Sequence, residues 1–160
     1  MFAWTEIYTK TFEMCLADDN YAQYSAREKM LAFTYTFLQN LQPYEPETAV
    51  LLISNSIPFL SGQNLSTLKH DFYNYADSLV FEASNSGEIQ SRPFIANYYK
   101  TVLWNGFSAI LLFWINDKSN HKENTDVMVE KTIHFTFDLL APNAIDSGID
   151  LLQNFMKLRK

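Results

Sequence analysis

Apolar residues recur at three- and four-residue spacing through most of the chain, and short polar breaks interrupt them. That period predicts helices. The first runs from about Phe2 to Ala17, with Trp4, Ile7, Tyr8, Phe12 and Cys15 on one broad face, and Asp18, Asp19 and Asn20 end it. Ser25-Ala26-Arg27-Glu28 is a capping box, in which a serine oxygen accepts the third amide of a helix while the glutamate reaches back. It opens a second helix whose face carries Met30, Leu31, Thr34, Phe37, Leu38 and Leu41. Phe33, Tyr35 and Phe37 alternate briefly, but the run is too short for a strand and belongs to that same face.

Pro43 breaks the second helix, and Pro46 suits the first turn of a short third one, roughly Glu47 to Ser56. Pro58, Gly62 and Asn64 form the next joint. The fourth helix, Leu65 to Ala83, has the cleanest stripe, in Leu65, Leu68, Phe72, Tyr75, Ala76, Leu79 and Val80. Asn85, Ser86 and Gly87 close it. Ser91 and Pro93 open a fifth helix that extends to about Asn116 and is apolar all round from Ile110 to Ile115. The sixth, about Thr125 to Ala141, carries Met128, Phe135 and Leu139 on one side, and Val129, Ile133, Phe137 and Leu140 on an adjacent one. A helix with two apolar faces needs two partners, so one face is left for a second subunit or a ligand. After Pro142 a last helix, Ala144 to Leu158, shows Ile145, Ile149, Leu152 and Met156 and ends in Lys157, Arg159 and Lys160. The expected fold is therefore all-α, a bundle of about six to seven helices. It is read as one domain over 1–160, in which 1–17 is a connecting helix, 25–141 the bundle core and 144–158 a C-terminal helix.

Composition narrows the function classes. The 160 residues are 48% hydrophobic and 16% aromatic, which opposes disorder. A net charge of −6 opposes binding to phosphate backbones. The single cysteine, Cys15, allows no intrachain disulfide. Glu6 comes early and the N-terminus has no long apolar run, so it does not read as a secretory signal. The longest apolar window, Val102 to Ile115, is short of the ~20 residues of a membrane span. A cytoplasmic protein is expected.

Chemistry is sparse. His70, His121 and His134 have no metal-ligand spacing, and His70 and His134 read as hydrogen-bonded core or interface residues. No nucleophile elbow and no phosphate loop is present, so neither catalysis nor a cofactor is expected. Asp117 with Ser119, and Asn124 with Thr125, read as caps of a tight loop between two helices. The one constellation with the makings of a ligand site is aromatic: Phe72, Tyr75, Tyr98, Tyr99, Trp104 and Phe107, with the hydroxyls of Tyr75 and Tyr98 and the amide of Asn105 to orient a bound molecule. An ordinary aromatic core fits the same residues, and spacing alone favours it.

Tyr24 to Leu41, YSAREKMLAFTYTFLQNL, and Leu111 to Leu140, LLFWINDKSNHKENTDVMVEKTIHFTFDLL, resemble the C-terminal regulatory domain of bacterial TetR-type transcriptional regulators. The resemblance spans most of the chain and is weakest from Gln42 to Gly62. It implies an all-helical homodimer that binds a small apolar molecule. It also implies an isologous four-helix interface from the fifth and sixth helices, for which Leu112, Ile115, Val129, Ile133, Phe137 and Leu140 are the candidates. By the same resemblance the first helix is the output lever and the aromatic cluster the sensor. No helix-turn-helix precedes the first helix in these residues, so DNA would be met only through a segment not present in this chain. Two further readings stay open. One is a lipid- or quinone-binding accessory protein on a similar bundle, with the last helix amphipathic enough to meet a membrane. The other is a structural dimerisation module with a filled core and no ligand.

Overall fold

The structure, a computed structural model, describes residues 4–53, 63–90, 92 and 96–157. Among these residues the periodic segments fold as seven α-helices: α1 (Trp4–Leu16), α2 (Ala26–Leu41), α3 (Glu45–Ile53), α4 (Gln63–Ser86), α5 (Ala96–Asn116), α6 (Glu123–Leu140) and α7 (Pro142–Lys157). Short 3₁₀ turns at Tyr21–Gln23, Gln42–Tyr44 and Asn120–Lys122 join some of them. Phe2, Ser56, Pro58, Gly62, Ser91, Pro93, Arg159 and Lys160 lie outside the described residues, as do the side chains of Asn64, Ile145, Ile149 and Leu152.

The capping box forms as the spacing dictates. The Ser25 hydroxyl accepts the Glu28 amide at 3.2 Å and the Glu28 carboxylate accepts the Ser25 amide at 2.8 Å. The remaining free amides of that first turn find a distant partner. Glu88, in the segment after α4, accepts from Ala26 at 2.9 Å and Arg27 at 3.2 Å. Four amides at the start of a helix lack intrahelical partners, so this carboxylate both caps α2 and ties it to the end of α4.

Helix α2 packs on α1, α4 and α6, while α5 packs on α3, α4 and α6, and α7 lies against α6. Where α1 meets α2, Thr11 donates to the Ile7 carbonyl at 2.7 Å and accepts from the Asn40 side chain at 3.1 Å, so two buried polar residues satisfy each other. Cys15 is buried and unpaired in α1. Helices α5 and α6 approach closely at Gly106. A Cβ there would lie 2.9 Å from the Thr136 hydroxyl, whose own hydrogen bond to the Thr132 carbonyl holds it in place. Among the described residues, no helix is long and apolar enough to cross a membrane.

Candidate functional site

The aromatic residues singled out by sequence separate into core and surface. Phe72, Tyr75, Tyr99, Trp104 and Phe107 are buried, while Tyr98 is 55% exposed and Asn105 is exposed. The buried rings fill the bundle centre together with Phe33 and Phe37 of α2. Phe33 stacks on Tyr75 at 4.5 Å between centroids and Phe72 on Phe107 at 4.8 Å, with Phe37 edge-on to Phe107 at 5.2 Å. The seam beside Phe107, which Met30, Leu103, Ile133 and Phe137 also line, has no room for a water molecule. The expected sensor cluster is therefore a packed core, because α2 supplies two phenylalanines that complete it. Tyr98 and Asn105 are exposed outside it, and the open space of the bundle lies elsewhere.

Tyr75 leads to that place. Its hydroxyl donates to the Lys29 carbonyl at 3.1 Å, which uses its only proton, so the Tyr21 hydroxyl 3.2 Å away donates to Tyr75. Burial pushes the Tyr21 hydroxyl up to about 12 and Tyr75 well above its ordinary value, so the chain of donors stays protonated at physiological pH. Above these hydroxyls lies a cleft of about 430 Å³, within the range of small-molecule sites. Phe12 and Leu16 from the last turns of α1 form one wall, and Ser78, Leu79 and Glu82 of α4 another. Tyr21, Ala22 and Lys29 close it, and Asp18 and Asp19 stand at its edge. The Lys29 ammonium pairs with the Glu82 carboxylate and lies 5.5 Å from the centre of the Tyr21 ring.

A second cleft, about 460 Å³, opens at the other end of α2 between Tyr35, Gln39, Trp114 and the loop from α5 to α6. Four of its polar residues, Asp117, Ser119, Lys122 and Thr125, hold that loop. Asp117 accepts from the Ser119 amide at 2.9 Å and hydroxyl at 2.6 Å, and from the Thr125 amide at 2.8 Å and hydroxyl at 2.7 Å. The Ser119 hydroxyl accepts the Asn124 amide at 3.1 Å. These bonds, the Ser119 hydroxyl above all, hold the Asp117 carboxyl down to about 2. The pairing of Asp117 with Ser119 thus forms as read from the sequence, whereas Asn124 and Thr125 do not open α6: the helix begins at Glu123, and their amides donate back to Ser119 and Asp117. His121 and Lys122 adopt left-handed backbone, at φ 49° and 56°. Lys122 offsets that strain by donating to the carbonyls of Trp114 at 2.8 Å and Asp117 at 3.2 Å, and by pairing with Glu45 at 2.8 Å.

Of the six residues expected at a dimer interface, Val129, Ile133, Phe137 and Leu140 are instead buried by the chain's own helices, and Leu112 and Ile115 are half-buried. That assignment is corrected: the inner face of α6 is the one that meets α2 and α5. The face left over carries Met128, Phe135 and Leu139, with Phe135 62% exposed. A Cβ on Gly106 of α5 would meet Thr132 at 3.5 Å, between Met128 and Phe135 on α6, and Phe113 lies two turns further along that side of α5. Exposed Phe113 therefore extends the same apolar strip. His70 is exposed rather than core. His134 is exposed too, and meets Arg27 at 2.9 Å and Glu130 at 3.4 Å.

The cleft residues apart from Tyr75 escaped the sequence reading. One signal was available: Lys29 interrupts an otherwise apolar run of positions on α2 between Ala26, Met30 and Phe33, and a lysine there needs a polar partner and room beside it. No curated protein and no solved structure matches this chain. The family of tetracyclin repressor-like, C-terminal domains matches residues 29–155. With well over half of its length matched and a helical bundle built on those residues, the chain belongs to the tetracyclin repressor-like C-terminal domain family.

Proposed function

We propose that this chain is the ligand-sensing and dimerisation domain of a TetR-like transcriptional regulator, which binds a small, largely apolar molecule and relays its presence to a DNA-binding segment outside these residues. Domains of this family generally bind ligands and dimerise, and do so without catalysis. Residues 1–17 would act as the connecting helix, 25–141 as the bundle core and 144–158 as a closing helix, all in the cytoplasm. The observation that carries the reading is the open cleft with Phe12 and Leu16 of α1 in its wall. A molecule held there touches the helix that would move a DNA reader, so occupancy and helix position share one free energy. The dimer reading rests on the apolar strip of Phe113, Met128, Phe135 and Leu139, placed to meet its symmetry mate as an isologous contact. Sedimentation velocity and native mass spectrometry of the full chain test both parts. The expected result is a dimer that becomes monomeric on Phe135→Glu with Leu139→Glu, and a small-molecule adduct that Ser78→Trp removes. A monomer at every concentration would sink the dimer, and an adduct indifferent to Ser78→Trp would sink the cleft as sensor.

A further inference from the structure

We infer that the cleft beside α1 takes a small organic cation with an aromatic or otherwise apolar body. The inference rests on the ligand-sensing reading above and names the class of molecule sensed. Three carboxylates, Asp18, Asp19 and Glu82, meet one ammonium, Lys29, around the cavity, which leaves two net negative charges at its wall. Lys29 is already neutralised by Glu82. Asp18 accepts the Asn20 amide at 2.9 Å and the Tyr24 hydroxyl at 3.0 Å, bonds that favour its ionised form. An anionic ligand would have to enter against these charges and find its only ammonium occupied.

The floor and walls fit the body of such a molecule. Tyr21 and Tyr75 present ring surface, and their hydroxyl protons are spent on Tyr75 and on the Lys29 carbonyl. Those hydroxyls therefore have accepting capacity to spare and no proton to donate to an anionic ligand. Phe12 stands edge-on to Tyr75 at 6.0 Å, and Leu16 is 60% exposed at the mouth, apolar surface that nothing in the described chain covers. Aromatic faces attract cations through their quadrupoles, and Lys29 over Tyr21 already shows that geometry inside the cleft.

Tetraphenylphosphonium and tetraphenylborate have nearly the same shape and opposite charge, so equilibrium dialysis of the full chain against each isolates the sign. Tetraphenylphosphonium is expected to bind saturably and about tenfold or more tighter than the borate, with Ser78→Trp abolishing the binding. Asp19→Asn should weaken it about two- to fivefold, as loss of an exposed ion pair worth up to about 1 kcal/mol does. Glu82→Gln frees the Lys29 charge, so it should weaken the phosphonium and strengthen the borate, a reversal that a merely structural glutamate would not cause. Circular dichroism verifies that each variant is folded. Borate binding as tight as phosphonium, and lost in Ser78→Trp, would overturn the charge inference while leaving the cleft as a ligand site. Binding of neither ion, or binding that ignores Ser78→Trp, would overturn the cleft itself.

Discussion

On α6, Val129, Ile133, Phe137 and Leu140 are covered by the chain's own helices, whereas Val127, Phe135 and Leu139 on the same helix face solvent. The two sets match in residue type and differ in what lies opposite. Toward the inner set, α2 and α5 bring Met30, Leu103 and Gly106 close enough that no water fits. Beside the inner set, the Arg27 guanidinium lies over the Phe137 ring at 5.6 Å and pairs with Asp138 at 2.8 Å, closing that flank of the helix. Nothing among the described residues covers the outer set in the same way. Apolar area alone therefore says that a helix needs partners, and leaves open on which side each partner stands.

The comparison breaks most visibly at Phe137. Phe137→Ala should cost about 3–5 kcal/mol in chemical denaturation, the usual loss for a large ring removed from a packed core. Gly106→Ala sharpens it next, since the new methyl meets the Thr136 hydroxyl. About 1–3 kcal/mol of overpacking set against up to ~1 kcal/mol of helix propensity gives a net loss of about 1 kcal/mol, which Gly106→Ala with Thr136→Ala should recover. On the outer face, Phe135→Glu should change monomer stability by no more than about 0.5 kcal/mol. Its effect belongs in the sedimentation coefficient, and an unaltered dimer would remove the outer strip from the interface.

The smallest effect comes at the start of the same helix and depends on pH. The Asp117 carboxyl sits at about 2 in the fold against an ordinary 3.8, so its contribution is complete above the ordinary value and is lost as pH falls toward the lower one. Protection of the Thr125 amide, the intrinsic exchange rate at the same pH divided by the observed one, should fall across that acid window. In Asp117→Asn it should be low already at neutral pH, with a shallower acid dependence.

Much of this was legible in one dimension. The capping box at Ser25, the break near Pro43, the end of α5 at Asn116 and the pairing of Asp117 with Ser119 each depend on residues close in sequence, and each forms. The aromatic stripe was legible as well, but its role was not. Phe72, Tyr75 and Phe107 have the spacing of either a pocket lining or a core, and the choice turned on Phe33 and Phe37 arriving from another helix. Lys29 carried a hint of the cleft in its position, whereas Ser78 and Glu82 of α4 and Tyr21 of the turn after α1 reach it only through the packing of α4 on α1 and α2.

The chain's own residue order determined that it would be helical, where most of its helices start and stop, and to which family it belongs, because period, caps and breaks are local properties. Tertiary structure alone decided which face of α6 turned inward, that Glu88 would cap a helix some sixty residues away, and that an open cleft would lie beside α1 while the aromatic centre filled. Those outcomes depend on volume shared among several helices at once, and a stripe of side chains on any one of them does not say how much space its neighbours will fill.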